Sequence, residues 1–399
     1  MYPAVIAAQQ GIGLPTRTDA LYVGGVDVLK QPGSSAAYGV SQSTIRVTEA
    51  GPGQVSSMEF VIDDPTLALP RFTEGLPVRF HDLTLDMPIF AGWIESLAYE
   101  RLGVGTRVTV TCVGVEALLD WLYVPALTVP ANTEFDTGWQ LIASAAYGIG
   151  QGLNQAQNTL FSALSSYQYP IGTGFDGSFT SASCAIPAGT LRQALQAYGQ
   201  FLWSDQILIT GWTWSISVDF GFGLRIYRTG AGNSTNDDAG LFSLTPSTNR
   251  PSNTSYGVNA AGVPRQVWVS GSGSGSGMVT DGSGLIGPTA NISDANSTDA
   301  VRLAGIGRAY LAAQGTVASG TTTAEGTQTM GTMSAQRRAG CWMDLQDPQA
   351  GIPTLTRFAV TQVVKTWANS GEETWRISFG SPVPQASNQI RRLTRSTLA

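Results

Sequence analysis

The chain is short of charge, and of lysine above all. Charged residues fill 13% of its 399 positions, about half the share usual in a globular protein. Lysine occurs only at Lys30 and Lys365, against twenty arginines. The net charge of -6 weighs against nucleic-acid binding. Histidine occurs once, as His81 beside Asp82, and reads as a surface or turn residue at a strand end. No nucleophile motif surrounds it and no GxSxG is present, so a nucleophile–base pair is not indicated. Cys112, Cys184 and Cys341 are odd in number, far apart and free of any CxxC spacing, which argues against a disulfide scaffold or a zinc ribbon. No run of eighteen apolar residues could span a membrane. The opening MYPAVIAAQQGIG lacks the basic region and apolar core of a standard signal peptide.

What is abundant points to packed β-structure. Hydrophobic residues make up 42%, with ten Trp, fourteen Phe and 47 Gly. So many aromatics need burial or a partner surface, which opposes disorder. The length predicts two to four domains. Charge is uneven: the first 120 residues hold 13 acidic and 7 basic groups, the last 44 hold 2 and 6. The basic RRLTRS at 391–396 reads as a solvated tail.

The clearest pattern lies in 77–121. Val78 and Phe80 start an alternating strand, Pro88 to Glu100 runs extended through Gly92, and Gly103–Gly105 makes a tight return. Val108, Val110 and Cys112 then alternate against Arg107, Thr109 and Thr111. A short helix with Val115, Leu118, Leu119 and Leu122 as its apolar set, and Trp121 on its flank, is expected to cap the open end of the sheet or barrel. Earlier strands are predicted at 21–28, broken by Gly24–Gly25, at 41–48, and at 56–62, where Met58, Phe60 and Ile62 share a face and Asp63-Asp64-Pro65 ends the run.

Beyond 124 the pattern is mixed. Helices are predicted at 137–147, with Trp139, Leu141, Ile142 and Ala145 as the buried set, at 191–203, capped by Thr190, and at 299–314. Strands are predicted at 206–210, 213–218, 223–227 and 264–270, the last running into GSGSGSG, a hairpin tip or hinge without the GK[ST] of a phosphate loop. The 149–187 and 229–262 stretches read as loops, and 315–340 as low-charge strands or loop. A closing hairpin is predicted at 354–366 and 373–379. Val360 and Val363 can share a face there only across a bulge near Gln362.

Candidate chemistry is thin. Glu134 with Asp136, or Asp219 with a distant acid, could form a glycosidase pair. Asp63-Asp64, Asp237-Asp238 and Asp344 with Asp347 could face a cation, but turn formation explains each better. Trp203, Trp212 and Trp214 could make a sugar platform, although Trp212 and Trp214 share a strand face and fit a core or subunit interface equally well. No catalytic residue, metal ligand or cofactor site is assigned.

The order of segments carries a resemblance. VIDDPTLALPRFTEGLPVRFHD, then IFAGWIESLAYE, then RVTVTCVGVEALLD resembles the opening domain of the tail hub family of long-tailed bacteriophages, the baseplate hub or minor tail proteins. The matching positions are Gly75, Val78 and Phe80; Phe90, Gly92 and Ile94; Val110, Cys112 and Gly114. TLRQALQAYGQ at 190–200, FGLRIY at 222–227, the 299–314 helix and RFAVTQVVKTWANSGEETWRISFG are similar to later parts of the same family.

The resemblance implies a mainly β fold with α+β insertions: tube-like antiparallel β-barrel domains plus smaller peripheral domains. The expected division is a first tube-like barrel at 1–125 and a peripheral α+β domain with long loops at 126–262. Next come a strand, Gly/Ser linker and helix at 263–345, a closing hairpin of the second tube-like domain at 346–385, and a basic tail at 386–399. The implied protein is a non-enzymatic virion component, made in the host cytoplasm and placed at the distal end of the tail. It forms a homotrimer whose paired barrels continue the hexameric tube around the DNA passage, without sequence-specific DNA binding. Implied partners are the distal tail or tail tube protein, the tape measure protein, and the tip or central fibre protein. Structural or interface candidates are Phe80, Phe90, Gly92, Trp93, Trp121, Trp212, Trp214, Trp367 and Trp375. The competing expectations are a hexameric distal tail protein, a carbohydrate-binding β protein, and a glycoside or peptidoglycan hydrolase.

Overall fold

The computed structural model describes residues 19–30, 39–51, 54–64, 72–83, 87–103, 105–146, 180–181, 183–202, 212–218, 224–230, 241–247, 249–259, 264–271, 276–280, 282, 286–294, 300–313, 317–325, 339–368 and 372–380. Mainly β structure results, dominated by one large, mostly antiparallel sheet with few helices.

The first part of that sheet comes from eight strands: β1 (Asp19–Val23), β2 (Val26–Asp27), β3 (Gly39–Val40), β4 (Arg46–Ala50), β5 (Ser57–Asp64), β6 (Pro77–Asp82), β7 (Met87–Leu102) and β8 (Gly105–Gly114). The predicted single strand at 21–28 is instead a hairpin. Gly24 and Gly25 both take positive φ, 58° and 86°, the two-residue turn whose twist matches antiparallel strands. Pairing runs β5–β8–β7–β6–β1–β2. The chain leaving β2 then bridges β3 at Leu29–Val40, and β3 pairs with β5, so the circuit returns to its starting strand. Val40 N–H donates to Val28 O and Lys30 N–H to Val40 O, each at 2.8 Å, at that closure. Alternation in β5 and β8 puts Met58, Phe60, Ile62, Val110 and Cys112 inside, with Phe80, Phe90 and Ile94.

Residues 89–94, IFAGWI, are apolar without alternation because β7 is covered on both faces. Phe90 and Ile94 enter the barrel, whereas Ala91 and Trp93 enter a separate core outside it. Gly92 lies where a Cβ would collide with the Val113 carbonyl of β8, so close backbone approach demands glycine there. The bulges that bend β7 fall elsewhere, between Phe80/His81 of β6 and their partners Phe90/Pro88, and between Ile94 and Ser96.

A second set of strands continues the same sheet: Leu241–Leu244, Pro251–Asn259, Val317–Glu325, Trp342–Asp347, Ile352–Trp367 and Glu373–Gly380. Their spatial order is 241–244, 342–347, 352–367, 373–380, 317–325, 251–259. Phe242, Met343, Phe358, Val360, Trp375 and Phe379 lead its core. The register shifts between Val360 and Gln362, and Val360 and Val363 are both buried, as the hairpin pattern required. The 229–262 stretch, expected as loop, supplies two of these strands. Pro251–Asn259 escapes a periodicity reading because Tyr256 and Val258 are its only large apolar residues.

Outside the sheet, the short helix Leu118–Trp121 does not cap the barrel. Val115, Leu118, Leu119 and Leu122 pack with Trp139, Ile142, Leu195 and Tyr198, from the helices Phe135–Ser144 and Leu191–Leu202, against the outer face of β7. Trp139 and Tyr198 meet edge to face at 4.8 Å, while Leu141, expected in this core, is exposed. Thr190 and Gln193 cap the second helix reciprocally: Gln193 N–H donates to Thr190 Oγ1 and Thr190 N–H to Gln193 Oε1. Burial raises the Cys184 thiol to about 11. Strands Gln266–Gly271, Ser276–Thr280 and Thr289–Asp294 pack on the helix Ala300–Ala313 through Val267, Val269, Ile292 and Leu303. Ser270 pairs with Ser276, so the strands on either side of the Gly/Ser run pair as a hairpin. The predicted strand at 206–210 lies outside the described residues.

Candidate assembly surface

Three of the candidate acids, Asp63, Asp344 and Asp347, are engaged in structural contacts. Asp63 accepts from Arg107 Nε at 2.9 Å across β5 and β8. Asp344 takes both arms of Arg357, at 2.7 and 2.9 Å, and Asp347 caps the turn Pro348–Ala350. Glu134 is exposed just ahead of a helix; the Asp136 side chain, Asp219 and Asp237-Asp238 lie outside the described residues. Among the described residues no three His, Cys, Asp or Glu side chains converge to hold a metal ion. His81 is not the surface or turn residue expected: it sits within β6, opposite Ala20 of β1, and is buried.

The feature that organises the molecule is the junction of the two halves of the sheet. β4 pairs with β5 on one edge and with the long strand Ile352–Trp367 on the other, in register Val47↔Lys365 and Glu49↔Val363. Val363, Lys365 and Trp367 share one face of that strand by period-two geometry. Val363 enters the second core and Trp367 the first, where its ring meets Phe80 edge to face at 5.0 Å. Lys365 lies between them at 0% exposure and pairs with Glu49, also buried. Its ammonium sits 4.8 Å from the ring centre of Trp375, and Glu49 Oε2 accepts from Ala339 N–H at 3.2 Å. Burial raises Glu373 above the ordinary carboxylate range, opposed by the charge of Lys365. An ion pair this deep makes the junction intolerant of losing either partner. The sequence offered a signal: alternation in VVKTW puts Lys365 on the apolar face.

The opposite face of the junction is different in kind. Thr323, Arg376, Val364, Thr48 and Ser57 stand side by side on five adjacent strands. The next row is Glu325, Thr374, Thr366, Arg46, Glu59 and Thr111, and the row before it holds Ser255, Thr321, Ser378 and Gln362. A hydroxyl-rich face therefore runs unbroken across both halves.

Of the interface candidates, Phe80, Phe90, Trp367 and Trp375 are core residues, and Trp93 is buried where β7 meets the helices. Trp212 and Trp214 lie in a hairpin strand, Trp212–Val218, paired with Leu224–Gly230. Trp121 is the outlier, 54% exposed beside an equally exposed Tyr123, with its ring 5.1 Å from that of Trp93. Exposed Trp268 and Met278 face each other across the small sheet. No helix among the described residues is long and apolar enough to cross a membrane.

No family model matches the sequence, and no curated protein matches it. Solved structures do match. The tail protein from Neisseria meningitidis MC58 superposes with a TM-score of 0.60 at 10% identity, over 93% of this chain and 98% of that one. The 43 kDa tail protein of prophage MuSo2 from Shewanella oneidensis gives 0.62 at 11% identity, over 92% and 99%. Prophage tail protein gp18 from Listeria monocytogenes EGD-e gives 0.51 at 9% identity, over 90% and 94%. Across nearly its whole length, this chain has the fold of phage tail proteins.

Proposed function

We propose that the chain is a structural hub protein at the distal end of a phage tail. Three copies form a ring that continues the tail tube, encloses the DNA passage and joins the tube to tip or fibre proteins. The observation that carries this reading is the fusion of two β-barrel-like units through β4 into one sheet, in a chain whose fold matches tail proteins over 92–93% of its length. Two such units per subunit and three subunits present six units to a sixfold tube. The junction with its buried Glu49–Lys365 pair holds the two units in one fixed relation, as a ring wall requires. The role is structural, and the acids already engaged in arginine pairs and a turn cap suit it. Trp121 and Tyr123 supply an exposed aromatic patch of the kind that subunit contacts bury. Electron microscopy of the purified chain tests the reading: threefold rings with a central opening are expected, and isolated particles at high concentration with no affinity for other tail components would overturn it. Sixfold rings would favour a distal tail protein instead.

A further inference from the structure

The three-stranded sheet of the small α/β unit buries one face and leaves the other open. Val267, Val269 and Ile292 lie against Leu303 of the helix Ala300–Ala313, and burial of that side pins the register. The alternate positions therefore point away from the helix. Their middle row is Met278, Trp268 and Asn291, side by side on the three strands. Trp268 is 43% exposed and Met278 58%. Gln266 and Thr289 stand together in the row before, and Ser293 lies in the row after. Asn291, Thr289 and Ser293 are exposed and Gln266 is half-buried. None of these side chains is charged, and the hydroxyls and amides among them both donate and accept hydrogen bonds.

We propose that this face binds an uncharged glycan, with one sugar ring stacked on Trp268 and its hydroxyls bonded to the polar rim. The occupant follows from what the face offers and what it lacks. Nucleic acid and anionic lipid are held by Lys and Arg, and this face presents neither. The centre of a protein contact gathers several apolar groups and is depleted in Ser; this face has two apolar groups among hydroxyls and amides. A sugar ring has the matching duality. One side of the ring is a patch of C–H groups that an indole can cover, and its edge is a set of hydroxyls that each donate and accept. Rows on one face of a strand lie about 7 Å apart, and neighbouring strands about 4.8 Å. Asn291 and Gln266 are thus immediate neighbours of Trp268, and Thr289 and Ser293 are its diagonal neighbours, within reach of the edge of a ring stacked there. Met278 extends the apolar floor on the other side. An ionised sugar would meet no opposite charge, so an uncharged glycan is preferred. The site goes beyond the ring reading and stands without it.

The full chain is tested on an array of immobilised uncharged oligosaccharides built from hexoses and N-acetylhexosamines, with sialylated and sulfated members as comparators. Binding to uncharged members is expected. Trp268→Ala should weaken it at least about tenfold, the loss usual for an aromatic anchor. Trp268→Phe should keep part of it, and Asn291→Ala should weaken it about threefold. Leu355→Ala, at an exposed apolar residue on the large sheet, should bind as wild type. Trp268 lies outside every buried core, so Trp268→Ala should match the wild type in urea denaturation, which separates lost binding from lost fold. Absence of binding to every uncharged member, binding confined to charged members, or binding that Trp268→Ala leaves intact would each overturn the proposal. A lower oligomeric mass in Trp268→Ala than in the wild type would mark the face as a subunit contact and overturn it as well. A chain that binds as expected yet stays monomeric would overturn the ring reading alone.

Discussion

The first barrel takes every strand of its circuit from residues 19–114, and its neighbours in space are mostly neighbours in sequence. The second half takes its strands from 241–380, and an entire α/β unit, 264–313, interrupts two strands that pair with each other, Pro251–Asn259 and Val317–Glu325. The first has a dense apolar lining; the second includes strands such as VASGTTTAE whose inward positions are only Ala, Gly and Thr. Local pairing closes short loops and nonlocal pairing closes long ones, so the two halves face different entropic costs. They meet in one strand, Ile352–Trp367, whose end supplies Trp367 to the first core. The lesson is that the local half is not independent of the dispersed one.

Six substitutions, the last read through a pH titration, break or sharpen that contrast. Lys365→Met leaves Glu49 buried without its partner, and we expect a loss of about 3–5 kcal/mol in urea denaturation. Adding Glu49→Gln should recover most of it, which a simple packing defect would not allow. Trp367→Ala should cost about 3 kcal/mol. Hydrogen exchange should show that cost in β6 and β7, far away in sequence; a loss confined to 352–380 would mean the halves are uncoupled. Gly92→Ala forces a methyl into the Val113 carbonyl and should cost about 1–3 kcal/mol, centred on the β7–β8 pair. Thr190→Ala removes one arm of the helix cap, for about 1 kcal/mol, and should leave both halves of the sheet unchanged. The smallest effect is at Glu373. Its raised folded-state value means that the protonated form favours the fold, a contribution present at acid pH and lost as pH rises through that value. Glu373→Gln should flatten the stability profile just above the ordinary carboxylate range.

These contrasts also explain what was legible in the residues alone. β5 to β8 could be read because alternation, a two-glycine hairpin and an apolar run each have a single structural meaning. The bulge between Val360 and Gln362 followed from two valines three apart that both needed burial. Thr190 announced its helix by cap chemistry. Strand 251–259 could not be read, and 317–325 stayed open between strand and loop, because their neighbours supply the bulk that their own side chains lack. His81 misled for a related reason: a polar residue in a strand suggests solvent until the partner strands are known. The interface candidates were chosen as large aromatics, and size mostly marked the core; only exposure picked out Trp121.

The central claim is that one chain carries two coupled units and that three chains complete a ring. Native mass measurement of the purified chain tests it most directly. The account predicts a species of about 126 kDa, three times the 41.9 kDa subunit, that persists on dilution. A persistent 41.9 kDa species at high concentration, or a sixfold one, would contradict it.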